Sequence, residues 1–295
     1  MESFAQPLRP EYRKGFLLVL VSAFCYGLQP FFAWFAYQAG ADPIGLLLAR
    51  FSLASLIMLL WLKKRRTPLP GRSQLGSTIL IGFGYAAAAL GYYSASYSAS
   101  ASLAVILMFS FPAFVTLFSI LFLKESASFI KLLSLLLASG GVLLATGMDF
   151  HGDLSGILWA LFAAFSYGSA ILYGSHRVSP QNPMTSAGVI LVGGAITFAI
   201  AALVQGASWP ATLEGWIAIL GLALFATIVP IATFISGSPR IGASDASTLS
   251  LLEPVVAVVI AVMLIGENLS PPMLWGGSMV IVAAVLLSNS ARKSA

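Results

Sequence analysis

The sequence predicts an all-α membrane protein: ten transmembrane helices arranged as two inverted five-helix repeats, with N- and C-termini cytoplasmic. Three observations carry that expectation. The 295 residues are 59% hydrophobic and only 8% charged, with a mean hydropathy of +0.94, whereas a soluble domain carries about 25% charged residues. When the apolar runs are read as ten spans, 14 of the 15 lysines and arginines fall on one side. Finally, the outline formed by Pro112 and Glu125 returns 142 residues later at Pro254 and Glu267 (254 − 112 = 267 − 125 = 142).

So little charge cannot cover a water-exposed surface, so most of the solvent must be lipid. The one cysteine, Cys25, lies inside an apolar run and excludes a disulfide framework. His151 and His176 fall in short polar connections without ligand spacing, so no metal or cofactor is expected. The net charge of +5 could point to nucleic acid or anionic lipid. Because the basic residues flank the spans, it is read as topogenic charge, with no nucleic-acid partner. The first apolar run, Gly15 to Ala39, covers about 24 residues, against roughly 7–15 for a signal h-region. Although Ala39-Gly40-Ala41 resembles a cleavage triplet, the run is read as an uncleaved first span.

A helical span needs ~20 mostly apolar residues. Charges, Pro/Gly clusters and Ser/Asn loops punctuate the chain into spans at 15–38, 43–62, 75–96, 101–123, 129–147, 154–174, 184–205, 214–236, 243–265 and 271–289. Spans three to five are the hardest to separate, because Tyr92–Ala104, YYSASYSASASLA, holds no charge. Its Ser/Ala alternation has the period of a strand. An open strand in lipid would leave backbone groups unsatisfied, so small residues admitting close helix packing are the better reading. With the N-terminus inside, the cytoplasmic segments hold Arg9, Arg13, Lys14, Lys63 to Arg66, Arg72, Lys124, Lys131, Arg177, Arg240, Arg292 and Lys293. The opposite side holds none, but carries Asp42, Asp149, Asp153, Glu214 and Glu267. The positive-inside rule predicts this asymmetry, and one span more or fewer would destroy it. Integral, multi-pass placement in a bacterial inner membrane follows as the expected location, with the lipid bilayer as partner.

The repeat explains the architecture. Ser22–Gly27, SAFCYG, is echoed by Ala163–Gly168, AAFSYG, and Ser96–Pro112 faces Ser238–Pro254, with small residues shared after the turn. The halves are 1–147 and 152–295, five spans each. Because five is odd, the second half enters the membrane from the opposite side. Inverted repeats place a site near the midplane between the halves and let one conformation mirror the other, which is the physical case for a transporter.

The stretch Arg240–Leu287 resembles the second EamA repeat of the drug/metabolite transporter superfamily: a small-residue turn, Leu252-Glu253-Pro254, Gly266-Glu267 at a helix end, then a glycine-containing last helix. The first half is similar more loosely, through Ala49–Leu56 with Arg50 and through Phe111–Glu125. The resemblance covers nearly the whole chain. It implies ten spans and secondary transport, commonly export of amino acids or related metabolites. The fourth span departs from it, reading Ser110-Phe111-Pro112 rather than Leu-Glu-Pro, so acid chemistry is not implied for the first half.

Candidate substrate-binding residues come first from intramembrane charge, which costs at least ~2.5–3.5 kcal/mol at mid-bilayer unless satisfied. Arg50 lies roughly 11 Å into the second span, and Glu253 roughly 15 Å into the ninth, at 1.5 Å per residue. Arg50 could meet a substrate carboxylate, and Glu253 an ammonium group or a proton. A fixed ion pair between the halves, or Glu253 bonding backbone freed by Pro254, remains the alternative. Asp245 reads as a helix N-terminal charge. Tyr and Trp join a large apolar face to one hydrogen-bonding atom, so Tyr26, Gln29, Tyr85, Tyr92, Tyr93, Met108, Phe111, Trp159 and Tyr167 complete the candidate lining. Interfacial belting competes for Tyr92, Tyr93, Trp159 and Trp209. Pro30, Pro112, Pro230 and Pro254 fall inside spans and remove backbone bonds; they could act as gating bends or as static kinks.

No H-E-x-x-H, Walker A or G-x-S-x-G motif occurs, so an enzyme is not expected and energy must come from a gradient or facilitated flow. The expected function is export of a small-molecule substrate, amino acids before others, by alternating access. A phosphorylated substrate would call for several buried cations, and the span interiors offer Arg50 alone. An exporter of cationic drugs is the alternative, and a membrane-embedded enzyme or scaffold is the reading from another class. A single chain suffices for this architecture, and a homodimer is allowed.

Overall fold

The computed structural model describes residues 10–122, 128–145, 154–177, 183–241, 246, 249–250 and 252–294. Among them there are helices and short connections, and no strands. In chain order the helices are α1 (Pro10–Gly27), α2 (Gln29–Gln38), α3 (Pro43–Lys64), α4 (Arg72–Ser98), α5 (Ala101–Met108), α6 (Phe111–Phe122), α7 (Phe129–Ala145), α8 (Leu154–Arg177), α9 (Pro183–Gln205), α10 (Leu213–Ala223), α11 (Val229–Ile241), α12 (Leu252–Ile260) and α13 (Pro271–Ser294). Two π-helical turns, Leu224–Ile228 and Ala261–Ile265, continue α10 into α11 and end α12. Seven stretches are long and apolar enough to cross a membrane. Three more apolar helices are shorter, at Phe129–Ala145, Leu252–Ile265 and Pro271–Leu286. Asp245 and Glu125 lie outside the described residues.

Local chemistry sets the boundaries. Asp42 caps α3 by accepting from Gly45 N at 2.6 Å, with Pro43 at the first position, where its missing N–H costs nothing. Ser100 separates α4 from α5 by accepting from Leu103 N at 3.1 Å, so the chargeless Ser/Ala stretch turns at a serine N-cap. Three of the four candidate prolines sit beside an interruption of the helix. Pro30 follows the break at Leu28, Pro112 the break at Phe109–Ser110, and Pro230 the first π-turn. Each lacks the N–H that would bond four residues back, so the preceding turn is free to open.

Helices from the two halves interleave. α1 packs on α11 and α12, as α8 packs on α4 and on α5 and α6, while α3 lies on α9 and α7 on α13. The α1/α11 and α8/α4 partnerships are the same contact under exchange of the halves. Glycines permit the closest approaches. A Cβ on Gly141 of α7 would meet the Gly276 carbonyl at 2.7 Å, and one on Gly237 of α11 the Gly15 carbonyl at 2.7 Å. In lipid, packing of small residues rather than hydrophobic exclusion holds helices together. Accordingly, large apolar side chains such as Leu136, Leu203, Val204 and Met263 project outward, mostly exposed.

The bundle has two chemically distinct ends. One carries Arg13, Lys14, Lys63 to Arg66, Arg72, Lys131 and Arg240, with Arg240 bound to Glu11 at 3.0 Å. The other carries Asp42, Glu214 and Glu267. At this acidic end Asp42 also accepts from Ser208 N at 3.0 Å, and Ala211 N donates to Ala39 O at 2.8 Å. The loop between α2 and α3 is thereby tied to the loop before α10.

Candidate functional site

A cavity of about 670 Å³ lies between the halves. Its walls come from α1, α2, α3, α4, α5, α6 and α8, and from α9, the first π-turn, α11 and α12. Interruptions at Leu28, Phe109–Ser110 and Leu224–Ile228 all fall beside it. Discontinuous helices of this kind are tolerated at membrane depth where they line a cavity.

Arg50, buried on α3, is held from three sides. Its Nε donates to Thr227 Oγ1 at 2.8 Å, Nη1 to Tyr93 Oη at 2.7 Å, and Nη2 to the Ala226 carbonyl at 3.1 Å. The last partner has a cause in the sequence. In an α-helix the Ala226 carbonyl would accept from residue 230, but Pro230 has no N–H. Arg50 therefore satisfies a backbone group that the proline orphans. Tyr93 Oη donates onward to Gln29 Oε1 at 3.1 Å, and the guanidinium carbon stands 5.3 Å from the Tyr93 ring centre and 5.6 Å from that of Phe51. One network thus joins α1/α2, α3, α4 and the first π-turn.

Glu253, in the first turn of α12, faces the same cavity in a different way. Among the described residues its carboxylate takes part in no hydrogen bond or ion pair, so no Arg50–Glu253 ion pair joins the halves. Tyr26, Tyr85 and Tyr167 line the cavity with it. Tyr85 and Tyr167 meet edge to face at 5.2 Å, and Phe111 and Tyr167 at 4.8 Å. The result is a carboxylate in an aromatic pocket, with a guanidinium lining the same cavity. Chemically, this can receive an ammonium group on an apolar body.

Of the sequence-derived candidates, Tyr26, Gln29, Arg50, Tyr85, Tyr92, Tyr93, Met108, Phe111, Tyr167 and Glu253 line this cavity. Trp159 does not. It lies with Ser155, Leu158 and Phe162 around a shallow outer pocket and is exposed. The inward stripe of α8 is Ala160, Ala163, Ala164 and Tyr167 at helical spacing, and Trp159 stands one residue, about 100°, off it. Tyr93, Thr227 and Ser22 form contacts that residue type alone did not single out as a network. Ser22 Oγ donates to the Pro230 carbonyl at 2.8 Å, coupling α1 to the same kink. A polar residue within a few positions of an intraspan proline was the signal available for Thr227.

The lining runs toward the basic end, through Pro183, Ser186 and Ala187 at the start of α9 and Phe234 and Ile235 late in α11. It does not reach the acidic end. There Tyr37 Oη donates to the Tyr93 carbonyl at 2.9 Å, and Tyr37 packs edge to face on Tyr97 at 5.0 Å. Among the described residues, the lining therefore extends toward the basic end and stops short of the acidic one.

A helical membrane bundle with interleaved halves, broken helices and a central cavity whose lining extends toward one end has the build of a carrier. The chain belongs to the EamA-like transporter family, which it matches twice, over residues 13–147 and 154–289. It is 24% identical to a transporter of Clostridium kluyveri over 96% of this chain and 95% of that one. It is 27% identical to the inner membrane transporter YedA of Escherichia coli, over 86% and 85%. Against the threonine/homoserine exporter RhtA of Escherichia coli the identity is 28%, over 84% and 83%. A solved crystal structure shares the fold, with TM-score 0.61 at 18% identity, covering 95% of this chain and 98% of that one. The protein is thus a multi-pass integral membrane transporter, and its relatives are transporters rather than enzymes.

Proposed function

We propose that the chain is a secondary carrier exporting small zwitterionic metabolites, amino acids with apolar or aromatic side chains foremost, by alternating access. The observation that carries this reading is the unpaired Glu253 carboxylate in an aromatic cavity that also presents Arg50. The carboxylate supplies an anchor for the substrate ammonium, the rings accept its apolar body, and the guanidinium edge supplies positive potential for its carboxylate. A relative known as a threonine/homoserine exporter supports the substrate class. Ten crossings, halves at 1–147 and 152–295, and cytoplasmic termini in an inner membrane complete the proposal. Their support is the one-sided placement of Lys and Arg. In that orientation the basic end is cytoplasmic and the cavity faces inward, ready to load.

Pro30, Pro112, Pro230 and Pro254 act in this reading as the bends about which the broken helices move. Uptake of labelled amino acids into proteoliposomes tests the proposal. Wild-type protein should carry phenylalanine or leucine. Glu253→Gln, losing a charge-assisted contact, should reduce that flux roughly ten- to a hundredfold. Flux that survives Glu253→Gln removes this role for Glu253, and absence of flux for every amino acid removes the substrate class. A second reading, export of organic cations, is favoured by the same carboxylate among aromatic rings. Flux of a quaternary ammonium dye without amino-acid flux would select it.

A further inference from the structure

Two carboxylates at the acidic end each bridge the halves through a pair of backbone N–H groups, and their surroundings differ. Asp42 accepts from Gly45 and Ser208. Glu267 accepts from Ala101 N at 2.7 Å and Ser102 N at 3.0 Å, the first two residues of α5. We propose that the Glu267 clasp is the outer gate of the transport path: it closes the acidic end in this conformation and must release for the cavity to open there. The inference rests on the chain being an alternating-access carrier.

Position is the first argument. α5 lines the cavity with Val105 and Met108, and α12 lines it with Glu253 and Ala257. Glu267 therefore fastens together the acidic-end tips of two cavity walls. Opening that end requires those tips to part, and the clasp spans the gap between them.

Mobility is the second. Both clasped pieces are short and separately terminated. α5 is eight residues long and ends at the Phe109–Ser110 break before Pro112. On the other side, the second π-turn ends α12, Gly266 takes a left-handed φ of 80°, and Glu267 N returns to Ala261 O at 3.0 Å. This turn delivers the carboxylate to α5. Because the first N–H groups of any helix lack intrahelical partners, the α5 start is left needing acceptors. Ser100 Oγ serves Leu103, and Glu267 serves the two positions before it. At the membrane surface water can take over both the carboxylate and the two N–H groups, so the clasp is reversible.

The contrast with Asp42 is the third. Under the 142-residue offset, Asp42 and Ser208 map to Met184 and Arg66. Near those positions, at the basic end, Thr185 Oγ1 donates to the Pro68 carbonyl at 3.2 Å. A tie between loops of the two halves is thus present at both ends in this conformation, so the Asp42 tie does not distinguish them. Glu267 is fastened at the end that the cavity lining does not reach.

Spin labels on Ser98→Cys and Asn268→Cys, in a Cys25→Ala chain reconstituted in lipid, read the separation of the two tips. The parent should show mainly a short distance. Glu267→Gln keeps the shape but cannot accept two N–H groups in the same way, and should raise the long-to-short ratio roughly tenfold, the equivalent of ~1.4 kcal/mol. Asp42→Asn should lower thermal stability and leave the ratio within about twofold of the parent, well inside ~1.4 kcal/mol. An unchanged ratio in Glu267→Gln overturns the gate, as does an equal shift in both variants. The distances are read without substrate, so failure of the gate is distinct from failure of amino-acid flux.

Discussion

Among the described residues, Arg50 and Glu253 are the two charges that line the cavity, and they are treated oppositely. Arg50 is buried and spends three donors on Thr227, Tyr93 and the carbonyl that Pro230 leaves free. Glu253 is half-buried and, among the described residues, has no bonded partner. A buried cation engaged by several elements is tied to the architecture, because removing it orphans each acceptor it serves. A carboxylate left open to a cavity costs desolvation without structural return, a burden that makes sense where the missing partner is a passenger. In the proposed reading, the state of a charge's hydrogen bonds, rather than the charge alone, marks the substrate contact.

The largest effect should come from breaking the Arg50 side of this comparison. Arg50→Leu removes all three hydrogen bonds and leaves the Ala226 carbonyl unsatisfied beside Pro230. The loss should be on the order of 3 kcal/mol or more, read as a marked fall in the thermal denaturation midpoint of the purified carrier in lipid. Glu253→Gln should leave that midpoint unchanged or raise it, since it discharges an unpaired group. If the two variants melt alike, the division of labour between the charges is wrong.

A smaller effect tests how the Arg50 network is shared. Tyr93 accepts from Arg50 and donates to Gln29, and its own backbone carbonyl accepts from Tyr37. Tyr93→Phe deletes the hydroxyl links and keeps the backbone one. The expected loss is about 1–2 kcal/mol, with flux reduced less than in Glu253→Gln. A loss as large as that of Arg50→Leu would mean that Tyr93, rather than the freed carbonyl, is the main anchor of the guanidinium.

Much of this was legible because lipid imposes strong rules on sequence. Apolar runs with charge and Pro/Gly punctuation predict helices at 43–62 and 184–205, and α3 and α9 occupy Pro43–Lys64 and Pro183–Gln205. The chargeless boundary expected between 96 and 101 falls at Ala99–Ser100, where a serine N-cap that the pattern did not single out starts α5. The π-turns were not legible, since their extra residue depends on partners far along the chain: Thr227 meets Arg50 across 177 positions. For the same reason Glu267 reads from sequence as a helix end, while its acceptor role needs Ala101, 166 residues away. Trp159 was misplaced for a different reason. Lipid and core are equally apolar, so a hydrophobic pattern distinguishes the inward face of a membrane helix far less well than it does for a soluble one.

That last point supplies the baseline for the Arg50–Glu253 comparison. Trp159 and Tyr167 are large aromatics eight residues apart on α8, one exposed on the outer surface and one lining the cavity. Trp159→Ala removes side-chain area that lipid can cover as well as protein did, and breaks an edge-to-face contact with Phe162 at 5.9 Å. Its effect on stability should stay near ~0.5 kcal/mol, the scale of surface substitutions, and the flux within about twofold. If instead Trp159→Ala lowers flux as strongly as Glu253→Gln, truncating any large side chain disturbs transport, and the losses at Glu253 can no longer be assigned to its open carboxylate.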